Sequence, residues 1–189
     1  MPNLMYFEYD QTGASSNENS MGMRAMQARA YAARNSQYLL LKAPPASGKS
    51  RALMFLALDK LHNQGIKKAI VAVPERSIGG SFSSTELSKY GFFCDWTIED
   101  ENNLCIPGGE SSKVKAFKRF MVSDDKILIC THATLRFAFQ EIEDSVFNDC
   151  LLAIDEFHHV SADGDNVLGG VLRSILAHTN AHIVAMTGS

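Results

Sequence analysis

Residues Ala43 to Ser50 read A-P-P-A-S-G-K-S. The spacing A-x-x-x-x-G-K-S is that of a loop wrapping a phosphate, with Ala43 where a first glycine usually stands. A strand that ends, turns and at once begins a helix leaves a run of backbone N–H groups facing one point, at the positive end of the helix. In such a loop the amides of Ala46, Ser47, Gly48, Lys49 and Ser50 hold the anion. Gly48 lets the backbone come close, Lys49 reaches the outer phosphates of a nucleotide, and the Ser50 hydroxyl holds Mg²⁺. A chance match on a strand–turn–helix is the alternative. The flanks oppose it, because an apolar run (Tyr38 to Leu41) precedes the loop and a long helix-forming stretch (Arg51 to Leu58) follows it.

A second pair of residues belongs to the same chemistry. Leu151-Leu152-Ala153-Ile154 is followed directly by Asp155-Glu156-Phe157-His158. An acid that closes an apolar strand beside a phosphate loop can hold Mg²⁺, and a second carboxylate next to it can orient and deprotonate water. Asp155 fits the first role and Glu156 the second. The alternative is two solvated turn carboxylates.

The surrounding elements must bring these groups together. Apolar runs at 38–43, 67–74, 126–135, 150–156 and 181–189 read as strands, and 92–99 as a further one. Helical patterns read at 21–34, 50–65, 83–91, 111–121, 136–144 and 166–179, with Ser112 as a cap and Gly65 and Gly91 as stops. Met5 to Tyr9 is a peripheral strand or arm, followed by a loop without apolar periodicity. Alternating strands and helices imply a parallel sheet covered on both faces, and the unbroken apolar character of Ala69–Val73, Ile127–Cys130 and Leu151–Ile154 agrees. The fold class is α/β, with residues 1–20 as an N-terminal arm and 21–189 as the nucleotide-binding domain. Sites in such sheets lie beyond the carboxyl ends of strands. The residues there are the phosphate loop, Pro74-Glu75-Arg76, Thr131-His132-Ala133-Thr134-Leu135, Asp155 to His158, and Thr187-Gly188-Ser189.

Composition narrows the class further. The chain has 189 residues, 46% hydrophobic and 21% charged, with a formal net charge of −3. That is ordinary for a globular domain, and any nucleic-acid contact must come from a local patch. No run approaches the roughly eighteen apolar residues of a membrane span, and the N-terminus lacks the basic start and apolar core of a signal peptide. Cys94, Cys105, Cys130 and Cys150 form no C-x-x-C pair. They read as reduced thiols of a cytoplasmic protein, with a zinc site through Cys130 and His132 as the lesser alternative. Lys115, Lys118 and Arg119 read as a solvated helix face, and Gly79-Gly80 and Gly108-Gly109 as turns or as places where a phosphodiester backbone approaches.

Taken in order, these segments resemble the first RecA-like domain of superfamily two helicases of the DEAD/DEAH type. Ala43–Ser50 is similar to motif I, Ala72–Ile78 to motif Ia, Thr131–Leu135 to the T-x-x-x-L element, Ile154–Val160 to a D-E-x-H motif II, and Met186–Ser189 to motif III. Arg24-x-x-Gln27 resembles the upstream R-x-x-Q element, whose Gln reads adenine in the family. The resemblance implies a P-loop NTPase, RecA-like and mostly parallel, that uses ATP and Mg²⁺. It implies nucleic-acid contacts at Pro74, Arg76, Thr131 and Thr134, and coupling through His158 to Thr187 or Ser189. It also implies a second RecA-like domain that supplies an arginine finger. The doubled His of Ile154–Val160 is nearest to restriction-type helicases, which leans toward DNA over RNA. Pro45-Ala46 in the loop and T-G-S in place of S-A-T depart from the usual pattern. The rival readings are the motor of a restriction endonuclease, a nucleotide-gated binding module, and a small-molecule kinase.

Overall fold

The computed structural model describes residues 4–8, 18–106, 112–158 and 167–188. Among them six strands form one sheet: β1 (Leu4–Glu8), β2 (Tyr38–Lys42), β3 (Lys68–Val73), β4 (Ile127–Thr131), β5 (Cys150–Ile154) and β6 (His182–Thr187). Their spatial order is β1-β2-β6-β5-β3-β4, and every neighbouring pair is parallel. All carboxyl ends therefore lie along one edge.

The period of two along each strand sorts the core into two layers. On β3, Ala69, Val71 and Val73 face the layer that holds α1 (Ala25–Ala32) and α2 (Lys49–Asn63). Ile70 and Ala72 face the layer built from α3 (Lys113–Val122), α4 (His132–Phe139) and α5 (Val167–His178). Covering both faces explains why the central strands carry apolar residues without alternation. Ser112 caps α3 by accepting the Lys115 N–H, as the sequence suggested.

Three readings are corrected. Residues 83–91 are not a helix: only Ser88–Tyr90 forms a short 3-10 turn, following another at Arg76–Phe82. The buried residues there, Phe82, Leu87, Phe92 and Trp96, recur every four or five positions, which matches neither helix nor strand. Residues 92–99 are not a strand. Trp96 exchanges both backbone hydrogen bonds with Thr85 in one isolated antiparallel bridge and donates its indole N–H to the Phe82 carbonyl at 2.8 Å. The segment is a packed insert plugged onto α2, with Phe92 edge-on to Phe55 and Tyr31. Finally, α4 starts inside T-H-A-T-L and not at Arg136, because Thr131 Oγ1 caps it by accepting the Thr134 N–H. The expected turn there is the first turn of that helix.

The same insert grips the chain ahead of α1. A Cβ on Gly22 would lie 2.5 Å from Tyr90 Cβ, and a Cβ on Gly91 would run into the Ser20 carbonyl. Each glycine thus makes room for the other segment.

Candidate active site

The phosphate loop leaves β2 and winds through Ala46 (φ 59°) and Gly48 (φ 89°), both left-handed, before α2 begins at Lys49. Lys49 is 92% buried and donates to the carbonyls of Ala43 (2.8 Å) and Pro44 (3.2 Å). Its ammonium is folded onto its own loop. Ser47 Oγ is buried with no hydrogen-bond partner. Gln27 is almost wholly buried beside this loop. Its Nε2 donates to the Gly48 carbonyl at 3.1 Å, and its Oε1 accepts the Arg24 N–H at 2.8 Å, closing the N-terminus of α1. A Cβ on Gly48 would sit 2.6 Å from that Nε2. Glycine is therefore required at 48 on two counts, its dihedral angles and the neighbouring Gln27.

The acidic pair follows β5. The Asp155 N–H donates to the Ala72 carbonyl (2.9 Å), continuing the ladder with β3, and Asp155 Oδ1 accepts the Glu156 N–H (3.0 Å). Asp155 is buried. Burial first, and then the neighbouring Glu156 carboxylate, push its carboxyl above the ordinary range, against the pull of the Glu156 N–H and the Lys49 ammonium. Glu156 adopts φ 48°, which turns its side chain back along the sheet edge. There its Oε2 accepts the Gly188 N–H at 3.1 Å and lies 3.3 Å from His158 Nδ1. His158 Nδ1 is also 3.1 Å from Thr187 Oγ1. The end of β6 thus joins both halves, since the Ala43 N–H donates to the Thr187 carbonyl and the Phe157 N–H to the Met186 carbonyl.

The loop after β2 and the acids after β5 are separated only by β6, two strand spacings or about 10 Å. Lys49, Ser50, Asp155, Glu156, His158, Thr187 and Gln27 come together along this edge. Pro74, Arg76, Thr131 and Thr134 occupy the far half of the edge, beyond β3 and β4. Arg76 is exposed there, whereas Thr131 and Thr134 bond one another (3.1 Å) in the α4 cap. Gly79 packs against Cys105, which leaves only Gly80 exposed. Ser189, His159 and Gly108-Gly109 lie outside the described residues.

The residues suit a nucleotide with Mg²⁺. The loop holds an unpartnered hydroxyl and a cation whose present acceptors are only backbone carbonyls, and Ser50 and Asp155 are the oxygen donors that Mg²⁺ favours. A zinc site does not form around Cys130 and His132. Cys130 is fully buried and its thiol is pushed up by desolvation, His132 bonds the Asp155 carbonyl, and no cluster of three metal-ligating side chains occurs among the described residues.

Two interactions were not anticipated. One is this His132 Nε2 contact with the Asp155 carbonyl, at 2.9 Å. The other is a buried polar cluster at the opposite edge. There the Lys60 ammonium donates to the carbonyls of Arg34 (2.8 Å) and Ser36 (2.9 Å) and to His182 Nδ1 (2.8 Å). A lysine inside the apolar stretch Leu56–Leu61 was its one sequence signal.

Fold and site together define a RecA-like phosphate-loop domain. The match is confirmed at the family level, because the model of the DEAD/DEAH box helicase family fits residues 24–189, and the chain belongs to that family. It is 65% identical over 189 residues to a Bacillus subtilis (strain 168) protein named "Putative ATP-dependent helicase YeeB", covering all of this chain and 31% of that one. In fold it is similar to the Pyrococcus furiosus Hef helicase domain, at TM-score 0.62 and 20% identity, over 88% of this chain and 33% of that one. It is similar also to the UvsW helicase of bacteriophage T4, at TM-score 0.56 and 16% identity, over 93% and 55%. The chain spans about a third of the length of YeeB. Family membership makes it a helicase ATP-binding domain and implies ATP use. Among the described residues no helix is long and apolar enough to cross a membrane.

Proposed function

We infer that this chain is the ATP-hydrolysing half of a motor that moves on nucleic acid. One observation carries the reading: the phosphate loop and the Asp155–Glu156 pair share one edge of a parallel sheet, with only the end of β6 between them. In this reading the amides of Ala46 to Ser50 and the Lys49 ammonium bind the β and γ phosphates, and Gln27 with Arg24 meets the adenine. Ser50 and Asp155 hold Mg²⁺, which would offset the phosphate charge. Glu156 accepts a proton from water as the water oxygen bonds to the γ phosphorus and the bond to ADP breaks. His158 and Thr187, with Ser189, pass the state of the acids along the edge. Pro74, Arg76, Thr131 and Thr134 meet the phosphodiester backbone.

A second RecA-like domain completes the site with an arginine, and without it turnover falls by about 10³-fold or more. Resemblance to restriction-type helicases in T-H-A-T-L and D-E-F-H-H favours DNA over RNA, and favours residues 21–189 as the domain proper. The four free thiols suit the reducing cytoplasm. Calorimetric titration with ATP and Mg²⁺ tests the reading. Glu156→Gln should bind as the unsubstituted chain does and lose turnover by about 10²- to 10⁴-fold, whereas Lys49→Ala should bind about 100-fold more weakly or not measurably. Equal binding by both variants, or brisk turnover indifferent to Glu156→Gln, would contradict it.

A further inference from the structure

The carbonyl of Asp155 has a missing partner in the sheet. In a parallel ladder, a residue that donates its N–H to position j−1 of the next strand accepts at its own carbonyl from the N–H of position j+1. Asp155 donates to the Ala72 carbonyl, so its own carbonyl should accept from residue 74. Residue 74 is proline and has no N–H. The donor comes instead from the far side of β3. His132 is the first residue of α4, which follows β4, and its Nε2 lies 2.9 Å from the Asp155 carbonyl. A carbonyl only accepts, so Nε2 carries the hydrogen. The imidazole reaches over the end of β3, across two strand spacings or about 10 Å, to close the gap that Pro74 leaves.

The two ends of this bond have different tasks. On one side is the turn that aims both carboxylates, already held in a left-handed conformation at Glu156. On the other is the first turn of α4, fixed by the Thr131–Thr134 cap. A ladder bond from residue 74 would tie Asp155 to its rigid neighbour β3 alone. The bond from His132 ties it also to the start of α4, beyond β3.

We propose that His132 is a positioning residue that couples the T-x-x-x-L segment to the Asp155–Glu156 turn, so that a strand bound at the α4 N-terminus alters affinity for ATP through the Asp155 carbonyl. The proposal rests on the functional reading above for the two ligands, but the bond and the proline gap stand without it.

The test measures affinity for a fluorescent ATP analogue with Mg²⁺, in the presence and absence of short single-stranded oligothymidylate, and takes the ratio. The unsubstituted protein should show a ratio of about 5-fold or more. His132→Ala should bring it near unity, and His132→Gln, whose amide can donate to the same carbonyl, should keep most of it. The double variant Pro74→Ala/His132→Ala supplies the missing N–H from β3. It should recover the melting temperature lost in His132→Ala but not the ratio. Should His132→Ala fail to fold, the ratio in the double variant decides, read against that of Pro74→Ala because Pro74 itself is placed at the bound strand. A ratio preserved in His132→Ala, or restored together with stability in the double variant, would reduce His132 to ladder repair and overturn the proposal. Binding of both ligands with a ratio of unity in the unsubstituted protein would overturn the coupling alone. No binding of the ATP analogue would overturn the functional reading and the coupling with it.

Discussion

Strand β6 begins and ends among polar groups, and the two ends are built in opposite ways. At its start, His182 accepts from the Lys60 ammonium, which is completely buried and also bonded to two carbonyls. Beside it Asp59 accepts from Tyr31, Asn63 and Gln64. Burial would raise the Asp59 carboxyl, but these donors outweigh it and hold it below its ordinary range. Every strong donor or acceptor in that cluster has a partner, which is what a buried polar network needs to be stable. At the other end, beyond Thr187, the groups are held loosely. Ser47 Oγ has no partner, Lys49 rests on loop carbonyls, and Asp155 is buried next to a second carboxylate. Similar residue types thus serve cohesion at one edge and readiness for a ligand at the other.

This contrast can be broken in order of expected effect. Lys49→Ala should weaken nucleotide binding by about 100-fold or more, near 2.7 kcal/mol, with little change in melting temperature; a large drop in melting temperature would mean that Lys49 is a structural group like Lys60. Lys60→Met takes the lysine donor from the half-buried Ser36 carbonyl and His182 Nδ1, while Gln64 Nε2 still serves the Arg34 carbonyl, and should destabilise the fold by about 1–3 kcal/mol in urea unfolding, with nucleotide affinity unchanged. A shift in affinity there would show that the two edges communicate. Gly48→Ala forces a side chain into a left-handed residue and toward Gln27, and about 1–2 kcal/mol of lost stability is expected; crystallography should find Gln27 displaced.

The smallest effect concerns pH. Burial, and then the Lys60 charge, lower His182 from 6.5 to about 4. The unfolded chain therefore takes up this proton first as pH falls below 6.5, while the folded state stays neutral at His182 down to about 4. Stability should decline across that window, and His182→Gln should remove that part of the slope of melting temperature against pH. An unchanged slope would mean that the folded chain does not hold His182 buried and neutral in that window.

Much of this was legible in the chain because the relevant signals are local. Unbroken apolar runs ending in Gly-Lys-Ser or Asp-Glu mark strands and their tips, and the strand–loop–helix around Lys49 follows from its own residues. What escaped was non-local. Lys60 and His182 meet across 122 positions. The His132 bond could have been found from Pro74, but only with the register of β3 against β5 in hand. The insert misled for a physical reason. Its Ser, Thr and Glu residues suit a helix start, yet Trp96 fixes the backbone through Thr85 and Phe82, and tertiary packing overrides that preference. Gln27 shows a different gap. Its side chain reads as the adenine contact, and here its amide is bonded at one end to Arg24 and at the other to Gly48, which leaves one N–H and one oxygen lone pair for a base.

The paired glycines Gly22 and Gly91 have a practical corollary for protein engineering. Because a methyl group on either glycine would collide with the other segment, at Tyr90 or at the Ser20 carbonyl, residues 19–23 and 88–92 behave as the two teeth of a clasp. A chimera that swaps in the insert of a relative without its matching N-terminal lead-in would mis-seat Arg24 and Gln27. Such grafts should succeed only when both stretches are transplanted together.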